Sequence, residues 1–133
     1  MRYLLDTNVV IFVLKDQTGV VAARLSHERL DDIAICAVVE AELYYGAFKY
    51  GVPDRRRTAL AGFLAPYRSL PFDSNCVPYY ARVRGDLEAS GRMIGANDLL
   101  IASIALANDC ILVTHNSGEF ERVPGLRVED WSA

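Results

Sequence analysis

The chain has 133 residues, 52% of them hydrophobic and 23% charged, with a formal net charge of −3. That length and apolar content suit one packed domain over residues 1–133 and exclude a disordered chain. The acidic balance excludes nucleic-acid binding by bulk charge, so a polyanionic ligand would need a local basic patch or bound cations. Cys36, Cys76 and Cys110 are odd in number and lack CxxC spacing, the pattern of reduced thiols in a cytoplasmic protein. The opening MRYLLDTNVVIFVLKD is interrupted by Asp6 and Asn8; its apolar run is too short to cross a membrane and lacks a signal peptide's basic leader.

In chain order, strands alternate with helices. Arg2 to Leu5 reads as a buried strand, and Asp6-Thr7-Asn8 supplies capping side chains for a helix over Val9 to Leu14. A helix follows over Val20 to Leu30, then a β-branched strand over Ile33 to Ala37. Val38 to Tyr50 has helical periodicity and stops at Gly51-Val52-Pro53. Pro53 and Asp54 open a helix carrying Arg55, Arg56 and Arg57 ahead of Leu60 to Leu64. Leu70 to Phe72 reads as a short strand and Val77 to Ala89 as an amphipathic helix closed by Ser90-Gly91. Asn97 to Ala107 is a strongly apolar helix, and Ile111 to Thr114 and Leu126 to Val128 are strands. This alternation predicts an α/β fold: a mostly parallel sheet of about four to five strands with helices on both faces.

Acids recur at the ends of these elements. Asp6 directly follows a strand, where open α/β sheets place their ligands, and reads equally well as a helix cap. Glu42 falls on one helical stripe with Val38, Val39, Tyr45 and Gly46; a carboxylate in apolar company needs a salt bridge or a metal. Asp98 lies in the first turn of a helix with Ile101, Ala102 and Ala105 on its face, where an acid also stabilises the helix dipole. Past the late strand, Thr114, Asn116 and Glu119 offer further oxygens among ordinary turn formers. Oxygen ligands with only two histidines, His27 and His115, favour Mg²⁺ or Mn²⁺ over Zn²⁺.

The successive motifs LLDTNVV, EAELYYG, GANDLLIA and VTHNSGEF, in this order across nearly the whole chain, resemble the signatures of the PIN-domain ribonucleases. With PGLRVEDW near the C-terminus, the chain is similar to VapC toxins of bacterial VapBC modules. The resemblance implies an endoribonuclease using Mg²⁺ or Mn²⁺, held by Asp6, Glu42 and Asp98. The family often has a fourth acid after the last motif strand. Here Asn116 takes the nearest place, so the resemblance assigns that role to Glu119 acting with Asn116. Thr7, Asn8 and Thr114 are the expected supports of the acids. The resemblance further implies a VapB-type antitoxin seated in a groove of the early helices, an RNA substrate such as tRNA, and a homodimer.

RNA contact requires positive charge. Arg55, Arg56 and Arg57 are the densest run, although such runs are commonly solvated helix faces; Arg92, in the loop leading to Asp98, is the better placed. A haloacid dehalogenase-type phosphatase would carry a second Asp where Asn8 stands. A receiver domain would carry a late lysine in place of Thr114-His115-Asn116. A catalytically inert RNA- or partner-binding module on the same fold is the remaining alternative.

Overall fold

The computed structural model describes residues 2–50 and 53–132. Five strands form one all-parallel sheet: β1 (Tyr3–Leu5), β2 (Ile33–Cys36), β3 (Arg68–Leu70), β4 (Ile111–Val113) and β5 (Val128–Glu129), in the order β3-β2-β1-β4-β5. The central strands are apolar throughout because both of their faces are covered: every residue of β1, β2 and β4 is buried. Side chains such as Leu4, Leu5 and Leu112 have no exposed surface, each worth about 1.5–3 kcal/mol of burial.

Seven helices connect the strands: α1 (Thr7–Lys15), α2 (Val20–His27), α3 (Ala37–Lys49), α4 (Pro53–Leu64), α5 (Val77–Ser90), α6 (Ala96–Ala107) and α7 (Ser117–Phe120). The chain steps outward from β1 to β2 to β3, then returns across the sheet to β4. Right-handed crossovers therefore put α1–α4 on one face and α5–α6 on the other. Helix α3 packs on α1 and α4, α5 packs on α6, and α3 and α6 also meet. Helix α6 is the most deeply set, with Leu99 and Ile101 to Ala105 all buried.

The expected class and strand order along the chain are present, and four of the expected elements have different bounds. Helix α1 begins at Thr7, two residues before Val9, because Asp6 itself is the cap and accepts the Thr7 N–H. Helix α2 stops at His27; Glu28 is extended, and Leu30–Asp32 form a separate 3₁₀ turn. The third strand is Arg68–Leu70 instead of Leu70–Phe72. It is an edge strand with Arg68 and Ser69 exposed, so it lacks the apolar run by which buried strands are recognised. The last strand is Val128–Glu129 instead of Leu126–Val128, since Val128 and Glu129 are the residues that pair with Leu112 and Val113. Trp131 anchors this end. Its ring meets Tyr3 edge-on at 5.1 Å, Arg24 covers it at 4.7 Å, and its Nε1 donates to Glu129 Oε1 at 3.0 Å.

Candidate functional site

Parallel strands end on the same side of the sheet, and the acids collect there. Asp6 follows β1 and is only 5% exposed. Its two oxygens are separately held: Oδ1 accepts the Thr7 N–H at 2.8 Å and Oδ2 accepts the Thr114 hydroxyl at 2.7 Å. The capping and chemical readings of Asp6 are thus compatible, one oxygen serving the helix. Thr7 in turn donates its hydroxyl to Glu42 Oε1 at 2.7 Å, which ties α3 to the start of α1. Asn8 Oδ1 accepts the His115 N–H at 3.2 Å and so fixes the turn after β4.

Glu42 is half-buried, but its neighbours differ from the expected stripe. The buried line of α3 is Val39, Leu43 and Ala47, while Tyr45 is 62% exposed. Glu42 flanks the core-facing line and looks along the edge between α1 and α3, because the i, i+4 row that meets the sheet starts at Val39. Glu40 is bonded to the Ser69 hydroxyl, away from the Asp6–Thr7 pair.

Asp98 enters from the first turn of α6 with Ile101, Ala102 and Ala105 buried on that helix, as expected. Glu119 enters from α7, a helix that sequence reading took for a turn. Glu119 Oε1 accepts the Gly95 N–H at 2.9 Å and Oε2 accepts the Asn116 side-chain amide. The Asn116 N–H donates to Thr114 Oγ1 at 3.0 Å. Gly95 leaves room here: a Cβ would stand 3.3 Å from Asp98 Oδ2, a tight contact, and 3.9 Å from Glu119 Oε1.

The electrostatics follow from this crowding. Burial, then the charges of Glu119, Asp6 and Glu42, push the Asp98 carboxyl up to about 7. Burial also raises Asp6, partly offset by its bonds to Thr114 and Thr7. Burial alone would raise Glu119, but the Gly95 N–H, the Asn116 amide, a hydrogen bond from Asp98 and the charge of Arg122 outweigh it and hold Glu119 low. Cys36, which caps α3 beside these acids, has its thiol pushed up to about 11 by burial.

Four carboxylates crowded together in this way, two of them raised, form a site suited to a cation. The donors are all oxygen, which fits Mg²⁺ or Mn²⁺ and argues against Zn²⁺. Among the described residues no three Asp, Glu, His or Cys side chains are grouped closely enough to hold a metal ion as they stand. An open rim of carboxylates is compatible with Mg²⁺, which keeps several of its own waters. Asp6, Glu42, Asp98, Glu119 and Asn116 are thus drawn into one linked constellation with Thr7, Asn8 and Thr114. Arg55, Arg56 and Arg57 are exposed on α4; Arg57 pairs with Asp54 at 2.6 Å, and Arg56 lines a groove. Arg92 is exposed in the loop before α6.

Two features escaped the sequence reading. One is Arg122, whose Nη1 donates to the Met93 carbonyl at 3.1 Å and whose charge bears on Glu119. The other is the shape of the groove, about 790 Å³, between α1, α3 and α4, lined by Ile11, Leu14, Leu43, Ala47 and Leu60 with Glu42 at its edge.

Comparison with known proteins places this arrangement. The PIN domain family profile matches residues 3–126. A "tRNA(fMet)-specific endonuclease VapC" of Shigella flexneri is 36% identical over 132 residues, covering 99% of both chains. A "Ribonuclease VapC2" of Rickettsia felis is 38% identical over 132 residues, covering 98% of both. Among solved structures, the DNA-bound VapBC of Salmonella typhimurium superposes with a TM-score of 0.92 at 32% identity, covering 98% of each chain. The chain belongs to the PIN-domain family, among its VapC ribonucleases.

Proposed function

We propose that this chain is the toxin of a VapBC module, an endoribonuclease that hydrolyses RNA phosphodiester bonds with Mg²⁺ or Mn²⁺ and so arrests translation, with a structured RNA such as tRNA as substrate. The observation that carries the reading is the convergence of Asp6, Glu42, Asp98 and Glu119, from four separate parts of the chain, on one rim where burial and then their charges raise Asp98 to about 7. Relatives named as ribonucleases, two of them as tRNA(fMet)-specific, support the reaction and the substrate class.

In this reading Asp6, Asp98 and Glu42 hold the cation, with Glu119 and Asn116 completing the rim. Bound there, a divalent ion supplies Lewis acidity and neutralises charge on the phosphate. The chain's own work is orientation. Thr7 and Thr114 fix the oxygens of Glu42 and Asp6, and the Gly95 N–H fixes Glu119. Asp98 and Glu119 stand together at the free rim, a place from which water can be oriented towards a phosphate.

The partner is a VapB-type antitoxin, and the groove between α1, α3 and α4 is the surface proposed for its apolar segment. Several structural neighbours are VapBC complexes, which supports that pairing. A homodimer in the cytoplasm is the expected working form, and no helix among the described residues is long and apolar enough to cross a membrane. The deciding experiment incubates purified, antitoxin-free protein with total RNA and Mn²⁺ or Mg²⁺, beside Asp98→Asn and EDTA controls. Discrete fragments that vanish in both controls are expected. Unchanged RNA together with no metal uptake by calorimetry would leave a binding module without catalysis.

A further inference from the structure

Of the 14 lysines and arginines, Arg122 alone is half-buried; every other one is exposed. It leaves the turn after α7, where its own N–H donates to the Glu119 carbonyl at 3.1 Å, and reaches across to the loop before α6. There Nη1 meets the Met93 carbonyl at 3.1 Å. It makes no ion pair with any carboxylate among the described residues, although Arg24, Arg29, Arg57, Arg84 and Arg127 all do. One of its five donors is thus spent on anchoring the plane, and the rest of the guanidinium fork stays available for an anion. The carbonyl it holds belongs to Met93, the residue that follows the exposed Arg92 in that loop.

This placement solves a problem set by the charge. The chain is acidic overall and its site is a rim of carboxylates, so an approaching RNA strand is repelled where it must bind. An arginine already held in position loses little rotamer freedom on meeting a phosphate and can bind it through two parallel N–H bonds. Partial burial also weakens its screening by salt.

We propose that Arg122, with Arg92 on the loop it grips, forms a phosphate-binding subsite on the rim of the acid pocket. It receives a phosphate of the RNA strand next to the one that is cut. The subsite rests on the ribonuclease reading above but assigns a binding role outside the acids. Arg122 steadies the Gly95 loop through Met93, and its outward edge holds the substrate.

The test uses full-length protein carrying Asp98→Asn, so that RNA is bound without being cut, and fluorescently labelled tRNA(fMet) titrated over a series of NaCl concentrations. Arg122→Gln should weaken binding roughly tenfold and make the slope of log affinity against log salt shallower by about 0.7–1. Arg122→Lys should keep the slope and recover only part of the affinity, since it has charge without the fork. Arg29→Gln, at an exposed residue paired with Asp31 before β2, should do neither. A lower melting temperature for Arg122→Gln with the parent's slope and affinity would overturn the subsite, leaving Arg122 a loop anchor only. Failure of the Asp98→Asn parent to bind RNA at all would remove the ribonuclease reading together with the subsite.

Discussion

Thr114 and Asp6 are joined by a 2.7 Å hydrogen bond in which the threonine hydroxyl donates to Asp6 Oδ2, while the same hydroxyl oxygen accepts the Asn116 N–H. One small side chain thereby aligns an acid of β1 with the segment that carries Glu119. Thr114→Val keeps the shape but leaves a buried carboxylate oxygen without a donor. It should cost about 1–3 kcal/mol in urea unfolding, with a clear loss of RNA cleavage. Thr114→Ser should restore most of both. Equal stability of the valine variant and the parent would show that Asp6 does not need this bond.

Asp98 gives the stability of the metal-free protein a pH dependence whose sign can be worked out. Its folded value, about 7, lies above the 3.8 of an ordinary aspartate. Its stabilising contribution is therefore complete below the unfolded value and is lost as pH rises through the folded one. Glu119, held low, acts in the opposite sense and only in more acidic solution. In EDTA, melting temperature should fall from about pH 5 to about pH 8, and Asp98→Asn should flatten that fall. The effect is reduced by solvent at this half-buried position. Identical profiles for the two proteins would contradict the crowding of acids described above.

Gly46 lies inside α3 on the wall of the groove, with nothing within 4 Å of where a Cβ would be. Gly46→Ala should stabilise the helix by about 0.5–1 kcal/mol without disturbing the partner. Gly46→Trp should fold equally well yet fill the groove, weakening capture of a VapB-type antitoxin by tenfold or more, about 1.4 kcal/mol. Co-purification from a two-gene expression strain, with thermal melts of the free variants, separates the two effects. Undiminished capture by Gly46→Trp would move the antitoxin to another face.

The cysteines offer a simple check on packing. All three are buried, and the Cys36 thiol is pushed up to about 11. Iodoacetamide at about pH 8 should leave the native protein unmodified by mass spectrometry and label all three thiols in urea. Rapid labelling of Cys36 in the folded protein would mean that the junction of β2 and α3 is open to solvent.

The sequence reading and the structure part company where signals are weak for physical reasons. Asp6, Glu42 and Asp98 are legible as candidates because Asp6 follows an apolar strand and the other two stand in helices with apolar neighbours. Edge strands β3 and β5 were displaced by two residues because half-exposed edges carry polar side chains such as Arg68, Ser69 and Glu129. Helix α7 is one turn long, and its SGEF reads as turn chemistry. Glu42's stripe was rotated because Tyr45, apolar by composition, points to solvent while Leu43 meets the core. Arg122 had no local signature: its significance comes from its burial and from Met93, 29 residues away.

The strand order has a bearing on how the protein is made. β1 lies between β2 and β4, yet β4 begins 106 residues after β1 ends, at Ile111 against Leu5. While the ribosome works from the N-terminus, β1 can pair with β2 early, but its other edge stays open until most of the chain has emerged. The same delay keeps Thr114 and Glu119 apart from Asp6. A growing chain therefore holds half a sheet and no assembled acid rim, so the site is formed late in synthesis, close to the moment at which a partner must be at hand.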